Sequence, residues 1–228
     1  MENKKKKEKE KEVRKFKFKG IDEDITKTIK VILLGESGVG IIGIINRFIS
    51  NNIDTTDTMD TIYASYFYDI ILEFPELESS IRFDIWDAVG LKNYSSLSKI
   101  FYKDASVIIL VYDITDEYSF ESIKDHWYKV VKNNCENNPI LAVVANKCEL
   151  FEKEHVSEEE ASEFAKEIGA IFQLISVANN WGIDELFYNI GMTYLTGNMN
   201  FHYDSLEKEK VLDIKKEKTF NKKKCIII

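Results

Sequence analysis

The stretch Val31-Ile32-Leu33-Leu34-Gly35-Glu36-Ser37-Gly38-Val39-Gly40-Ile41-Ile42 sets the terms of the fold. Its four leading apolar residues suit a buried strand, Gly35-x4-Gly40 suits a tight loop, and the apolar spacing from Ile41 onward suits a helix. Strand, glycine loop and helix in that order are the setting of a phosphate-binding loop. Glycines there let backbone N–H groups turn inward at the positive end of a helix dipole. Such a loop ordinarily closes on a lysine that neutralises the β and γ phosphates, then on a serine or threonine whose hydroxyl ligates Mg2+. Here both positions are isoleucine, Ile41 and Ile42. Taken alone, the loop is equally a phosphate cradle or a tight turn without ligand, and the two isoleucines are equally a helix start packed inward.

Outward from this loop, β-rich runs at 29–34, 66–74, 81–86, 107–112, 140–145 and 171–175 alternate with helical patterns at 41–50, 118–131, 157–168 and 183–195. Ser157 with Glu160 forms a capping box at the third helix. Alternating β and α elements predict an α/β fold around a mostly parallel sheet. The exception is the second and third strands. The segment Glu73-Phe74-Pro75-Glu76-Leu77-Glu78-Ser79-Ser80 between them has the proline and small polar residues of a hairpin turn, so that pair is expected to be antiparallel.

At 228 residues and 44% hydrophobic, the chain is long enough for one substantial core and short for two ordinary domains. The formal charge of -8 is unevenly spread: residues 1–20 carry +6 and residues 198–228 carry +3, which leaves -17 for residues 21–197. That balance excludes a globular part that binds nucleic acid by broad phosphate neutralisation, while the basic ends suit an anionic membrane. Cys135, Cys148 and Cys225 show no paired spacing, and His126, His155 and His202 lie far apart, so neither a disulfide framework nor a structural metal is expected. No apolar run approaches the roughly 18 residues of a membrane span.

Two further tetrapeptides stand at the ends of expected strands. Asp87-Ala88-Val89-Gly90 follows the third strand, where a carboxylate would lie near a metal and a backbone N–H near a γ phosphate. Asn146-Lys147-Cys148-Glu149 ends the fifth. There an asparagine could hold a neighbouring loop or a base edge, a lysine stem could lie on a purine face, and an acid could accept from guanine N1 and N2. Each is common by chance, but together, in order and at carboxyl ends of strands, they point jointly to a nucleotide site.

With these motifs in place, residues 28–197 resemble the Ras superfamily, and within it the Rab family. Trp86-Asp87-Ala88-Val89-Gly90-Leu91 is similar to WDTAGQE, Tyr94-Ser95-Ser96-Leu97 to YRSL, Phe101-Tyr102-Lys103-Asp104-Ala105 to YYRGA, and Val111-Tyr112-Asp113-Ile114-Thr115 to VYDIT. Thr61-Ile62-Tyr63-Ala64-Ser65-Tyr66 resembles the switch segment TIGxxF, and Ile175-Ser176-Val177-Ala178 the guanine-side TSAK loop. The resemblance implies a small-GTPase G domain: a six-stranded, mostly parallel sheet with one antiparallel edge strand and helices on both faces. It implies GTP or GDP and Mg2+ as ligands. Nucleotide contacts would come from Gly35, Glu36, Ser37, Gly38, Val39, Gly40, Gly90, Asn146, Lys147, Glu149, Ser176 and Val177, and metal contacts from Thr61 and Asp87. Tyr66, Trp86 and Phe101 occupy the positions of the aromatic triad through which Rabs meet effectors, although Trp86 at a strand end is equally an ordinary core residue. Trp127 and Trp181 are expected to pack.

The departures fall on the chemistry. Ile41 and Ile42 remove the phosphate lysine and the metal hydroxyl, Leu91 stands in place of the water-positioning glutamine, and Glu149 replaces the guanine-reading aspartate. Leucine neither donates to nor accepts from an attacking water, so hydrolysis is expected to be slow even where GTP binds. Glutamate keeps the carboxylate and adds a methylene. At the chain end, Lys222-Lys223-Lys224-Cys225-Ile226-Ile227-Ile228 fits a C-a-a-X prenylation signal with adjacent basic residues, so Cys225 is the expected lipid site.

The expected organisation is a basic, disordered extension over 1–27, a Rab-like G domain over 28–197, and a tether over 198–228. The expected function is a monomeric, membrane-tethered guanine-nucleotide switch in vesicle traffic, on the cytoplasmic face of an intracellular or plasma membrane, meeting protein effectors and regulators. The alternatives are a pseudo-GTPase interaction module and a Ras- or Rho-like signalling protein, since a single-cysteine C-a-a-X is more typical of the latter.

Overall fold

The structure is a computed structural model that describes residues 27–52, 67–87 and 101–198. The expectations for the N-terminal extension up to residue 26, for Thr61, Tyr66, Gly90 and Leu91, and for the tail with Cys225 lie outside the described residues.

In chain order the elements are β1 (Lys27–Gly35), α1 (Ile41–Asn52), β2 (Phe67–Phe74), β3 (Ser79–Asp87), β4 (Val107–Asp113), α2 (Glu117–Ser122), α3 (Tyr128–Asn134), β5 (Ile140–Asn146), α4 (Glu158–Glu167), β6 (Ile171–Leu174) and α5 (Ile183–Thr196). The six strands form one sheet in the order β2-β3-β1-β4-β5-β6. Only the edge pair β2–β3 is antiparallel, and the other pairings are parallel. The turn expected between them is a 3-10 turn over Pro75–Leu77, closed by Glu78 in the left-handed region with its N–H donating to Pro75 O. Proline presets the first turn position and lacks the N–H that the turn leaves unused.

Central strands covered on both faces need apolar side chains at every position, which is why β1 and β4 carry the runs Val-Ile-Leu-Leu and Val-Ile-Ile-Leu-Val. Strand alternation divides them. Val31, Leu33, Ile109 and Val111 join a core with α1 and α5, where Phe48 and Phe187 stack at 3.7 Å. Ile32, Leu34, Ile108 and Leu110 join the opposite core with Phe120, Trp127, Val131 and Ala161. Helices therefore cover both faces, as the sequence led one to expect.

One helical segment differs. The apolar spacing over 118–131 predicts an unbroken α-helix, but α2 and α3 are joined by a π-helical segment over Ile123–Trp127. Residues five apart lie about 140° apart around an α-helix, whereas a π turn brings them close to one face. Ser122 and Trp127 are such a pair, and both donate to the carboxylate of Glu36. Elsewhere the local signals act as written: Ser157 Oγ accepts from Glu160 N at 3.1 Å at the start of α4, and Gly182 and Gly197 flank α5 in left-handed conformations. Among the described residues no helix is long and apolar enough to cross a membrane.

Candidate functional site

The register sets the site. Gly35 pairs with Val111, Leu33 with Asp87, and Asp113 with Asn146, so the carboxyl ends of β1, β3, β4 and β5 share one edge of the sheet. Crevices at this edge are where open α/β sheets take ligands. The loop of residues 35–40 leaves β1 here. Gly38 and Gly40 have φ of 89° and 99°, values that L side chains rarely adopt, and a Cβ on Gly40 would strike Asn146 Nδ2.

Asn146, only 1% exposed, holds two loops together. Its Nδ2 donates to Val39 O at 2.7 Å, and its Oδ1 accepts from Val177 N at 3.3 Å. Arg47 of α1 adds a bond from Nε to Val177 O at 3.0 Å, and a Cβ on Gly43 would come within 2.7 Å of Val177 Cγ1. Ser176 is closed into its own turn, where its Oγ accepts from Asn179 N at 3.0 Å and its backbone exchanges two bonds with Trp181. Three segments far apart in sequence are thereby one packed unit.

Lys147 sits in the left-handed region with φ 63°, and its Nζ lies 2.6 Å from Asp113 Oδ2. Asp113 Oδ1 in turn accepts from Thr115 N at 2.9 Å and Thr115 Oγ1 at 2.8 Å. Burial pushes the Asp113 carboxyl up, but the bonds from Lys147 and Thr115 outweigh it and hold the group below the usual aspartate range. Two residues later, Glu149 presents a buried Oε2 with no hydrogen-bond partner among the described residues. A buried carboxylate oxygen left unpaired costs free energy unless something donates to it, so this atom fits a ligand with N–H donors in a plane, as guanine has at N1 and N2.

The phosphate side fits less well. Its backbone suits an anion: the first turn of α1 carries no acidic residue and leaves N–H groups without partners inside the helix. The carboxylate of Glu36, the loop's own acid, is held by Ser122 and Trp127 of the α2–α3 segment. Residues 35–42 contain no lysine or arginine. Ile41 is 3% exposed and belongs to the core with α1 and α5, whereas Ile42 is 46% exposed. Inward packing thus holds for the first isoleucine and not for the second. Neither supplies the cation or hydroxyl that a magnesium–triphosphate group requires of these positions.

This geometry coincides with what the comparisons find. The model of the Ras family matches residues 30–196. The chain is a Rab-type member of the Ras family. Ras-related protein Rab-22A of Homo sapiens is 35% identical over 164 residues, which cover 72% of this chain and 82% of that protein. Ras-related protein Rab-31 of Mus musculus gives the same identity and coverage. Ras-related protein Rab-13 of Mesocricetus auratus is 31% identical over 197 residues, 86% of this chain and 94% of its own length.

On this Rab-type frame the remaining expected residues fall as follows. Asp87 ends β3 on the ligand edge. Trp86 and Phe101 meet edge-on, with ring centroids 5.8 Å apart and planes at 84°. Phe101 is only 7% exposed, and Trp86 is half-buried against the same core. Lys30 binds the pair from β1, with Nζ 4.8 Å from the Trp86 ring centroid and bonds to the carbonyls of Phe101 and Lys103. Burial lowers the Lys30 pKa, and Asp104 partly offsets this. Trp127 packs in the core, and Trp181 is half-buried.

Sequence reasoning missed four residues that the site uses: Asp113, Thr115, Arg47 and the Trp127 indole N–H. Asp113 was findable, because it stands at the end of β4 on the same edge as the motifs that were read. Thr115 bonds Asp113 two residues earlier, while Arg47 and Trp127 depend on contacts between distant segments.

Proposed function

We propose that this Rab-type protein is a guanine-nucleotide switch of vesicle traffic, tethered to the cytoplasmic face of an intracellular or plasma membrane, in which phosphate binding is weakened and hydrolysis is slow. The observation that carries the guanine assignment is the buried, unpartnered Oε2 of Glu149 beside the two-loop bond of Asn146. In this reading Gly35, Glu36, Ser37, Gly38, Val39 and Gly40 cradle phosphate through main-chain N–H groups, with Gly90 beyond them. Asn146, Lys147, Glu149, Ser176 and Val177 form the base end, and Thr61 and Asp87 serve any metal. Leu91 leaves the attacking water unoriented. Tyr66, Trp86 and Phe101 form the effector face, with Phe101 acting by supporting Trp86. Cys225 carries a prenyl group, and Lys222, Lys223 and Lys224 add attraction to anionic lipid of about 1 kcal/mol each.

The test is incubation of the purified chain with labelled GTP and GDP, where saturable binding of either is expected. No binding at high-micromolar nucleotide would sink the switch and leave the second reading, an interaction module of fixed conformation. That reading is favoured by the burial of Ile41 where a lysine would reach out. Tethering is tested separately: Cys225→Ser should move the protein from membrane to cytosol on fractionation, and persistent membrane association would refute a lipid at that residue.

A further inference from the structure

We infer that the site takes guanine nucleotide without magnesium and does not favour the triphosphate over the diphosphate, an inference that rests on the guanine-nucleotide reading above. The base end carries its full set of contacts: Asn146 bonded to both loops, Lys147 anchored on Asp113, and the unpartnered Glu149 oxygen. The loop keeps the backbone geometry that receives phosphate, with Gly38 and Gly40 at positive φ and the start of α1 behind them. What separates triphosphate from diphosphate in such a loop is the lysine that reaches the β and γ oxygens and the metal that bridges them. Position 41 is a core isoleucine, and position 42, where the metal hydroxyl belongs, presents an exposed apolar side chain. Backbone N–H groups serve the inner phosphates, and the γ phosphate adds charge with no lysine at position 41 and no hydroxyl at position 42 to meet it. With -17 of formal charge over residues 21–197, that added charge is unfavourable.

The experiment is isothermal titration of the full chain, freed of nucleotide, with GDP and with GTP, each in excess Mg2+ and in EDTA. The expected result is GDP binding that changes less than about twofold between the two buffers and is at least as tight as GTP binding. Tightening of either nucleotide by Mg2+ of tenfold or more overturns the inference while leaving guanine binding intact. No binding of either nucleotide in either buffer overturns the underlying reading instead. Ile42 is exposed, so Ile42→Ser should fold normally. It should gain a several-fold Mg2+-dependent tightening for GTP, and a flat response would overturn the assignment of the lost magnesium dependence to position 42. Glu149→Ala should weaken GDP equally in both buffers, and unchanged affinity would remove the base end from the site.

Discussion

At the base end of the sheet edge, Asn146 joins the loops of Val39 and Val177, and Asp113 is bonded on both oxygens. At the phosphate end, an isoleucine is folded into the core and its neighbour faces solvent. Both ends stand on the same edge of one sheet, so the contrast concerns side chains and not the scaffold. A polar network needs every member to be satisfied, and removing one leaves the others buried without partners. The phosphate loop works largely through main-chain N–H groups, which any sequence supplies as long as the glycines remain. Loss of its side-chain contacts is therefore compatible with the fold, while loss at the base end should unlock three loops together.

The largest expected effect follows from that asymmetry. Asn146→Ala leaves Val39 O and Val177 N without their partner, at about 1–3 kcal/mol each, and at about 2–4 °C per kcal/mol the melting temperature should fall by about 4–24 °C. Guanine-nucleotide affinity should drop about a hundredfold with it. A thermal melt beside a GDP titration checks both. A fall in stability with affinity unchanged would separate the bonded loops from ligand binding.

The opposite change, Ile41→Lys with Ile42→Ser, is expected to strengthen nucleotide binding by about tenfold to a hundredfold in Mg2+, the worth of one charge-assisted bond at about 1.5–3 kcal/mol. Because Ile41 is a core residue, the ligand-free variant should melt below wild type and recover when nucleotide is added. Unchanged affinity in equilibrium titration would mean that the loop is not a phosphate cradle.

Much of this was open to inspection in the chain itself, and the gaps have physical causes. The alternation of strands and helices, the antiparallel pair and the placement of the motifs at strand ends follow from alternating patterns and turn residues. The two isoleucines read alike in the motif, yet helical spacing separates them: Ile41 is in step with Ile44, Ile45 and Phe48, all buried, and Ile42 with Asn46, which is exposed. The π segment was not legible, because Phe120, Ile123, Trp127 and Val131 sit at intervals that an ordinary α-helix also satisfies. Its cause is tertiary: Ser122 and Trp127 turn to meet a loop that begins some 85 residues earlier in the chain. The bond between Lys147 and Asp113 was likewise hidden, since a motif names a lysine without naming what its ammonium touches.

A smaller effect tests that bond. Asp113→Asn leaves the partly exposed Lys147 ammonium without its ion pair, and solvent screening limits the loss to about 1 kcal/mol at pH 7. The carboxyl is held below the usual aspartate pKa of about 4, so its contribution is present above that value and is lost as pH falls through the lower folded value. Denaturation of wild type and variant should therefore converge in acid below about pH 4. A gap that stayed constant across the range would show that charge at Asp113 is not what holds Lys147.

The smallest expected effect lies between the two ends, where Glu36 of the loop meets the π segment. Trp127→Phe keeps an aromatic body in the core but removes the N–H that donates to Glu36 Oε1 at 3.3 Å, while the bond from Ser122 to that oxygen remains. Loss of this long bond should cost about 0.5–1.5 kcal/mol, together with some loss of fit around the smaller ring. The informative readout is nucleotide affinity against stability. If Glu36 serves the loop through its main chain, with its side chain only an anchor, Trp127→Phe should lower the melting temperature slightly and leave GDP affinity within about twofold. A larger loss of affinity than of stability would instead show that the anchor keeps the Glu36 charge away from the phosphates, and would make this contact part of the phosphate end.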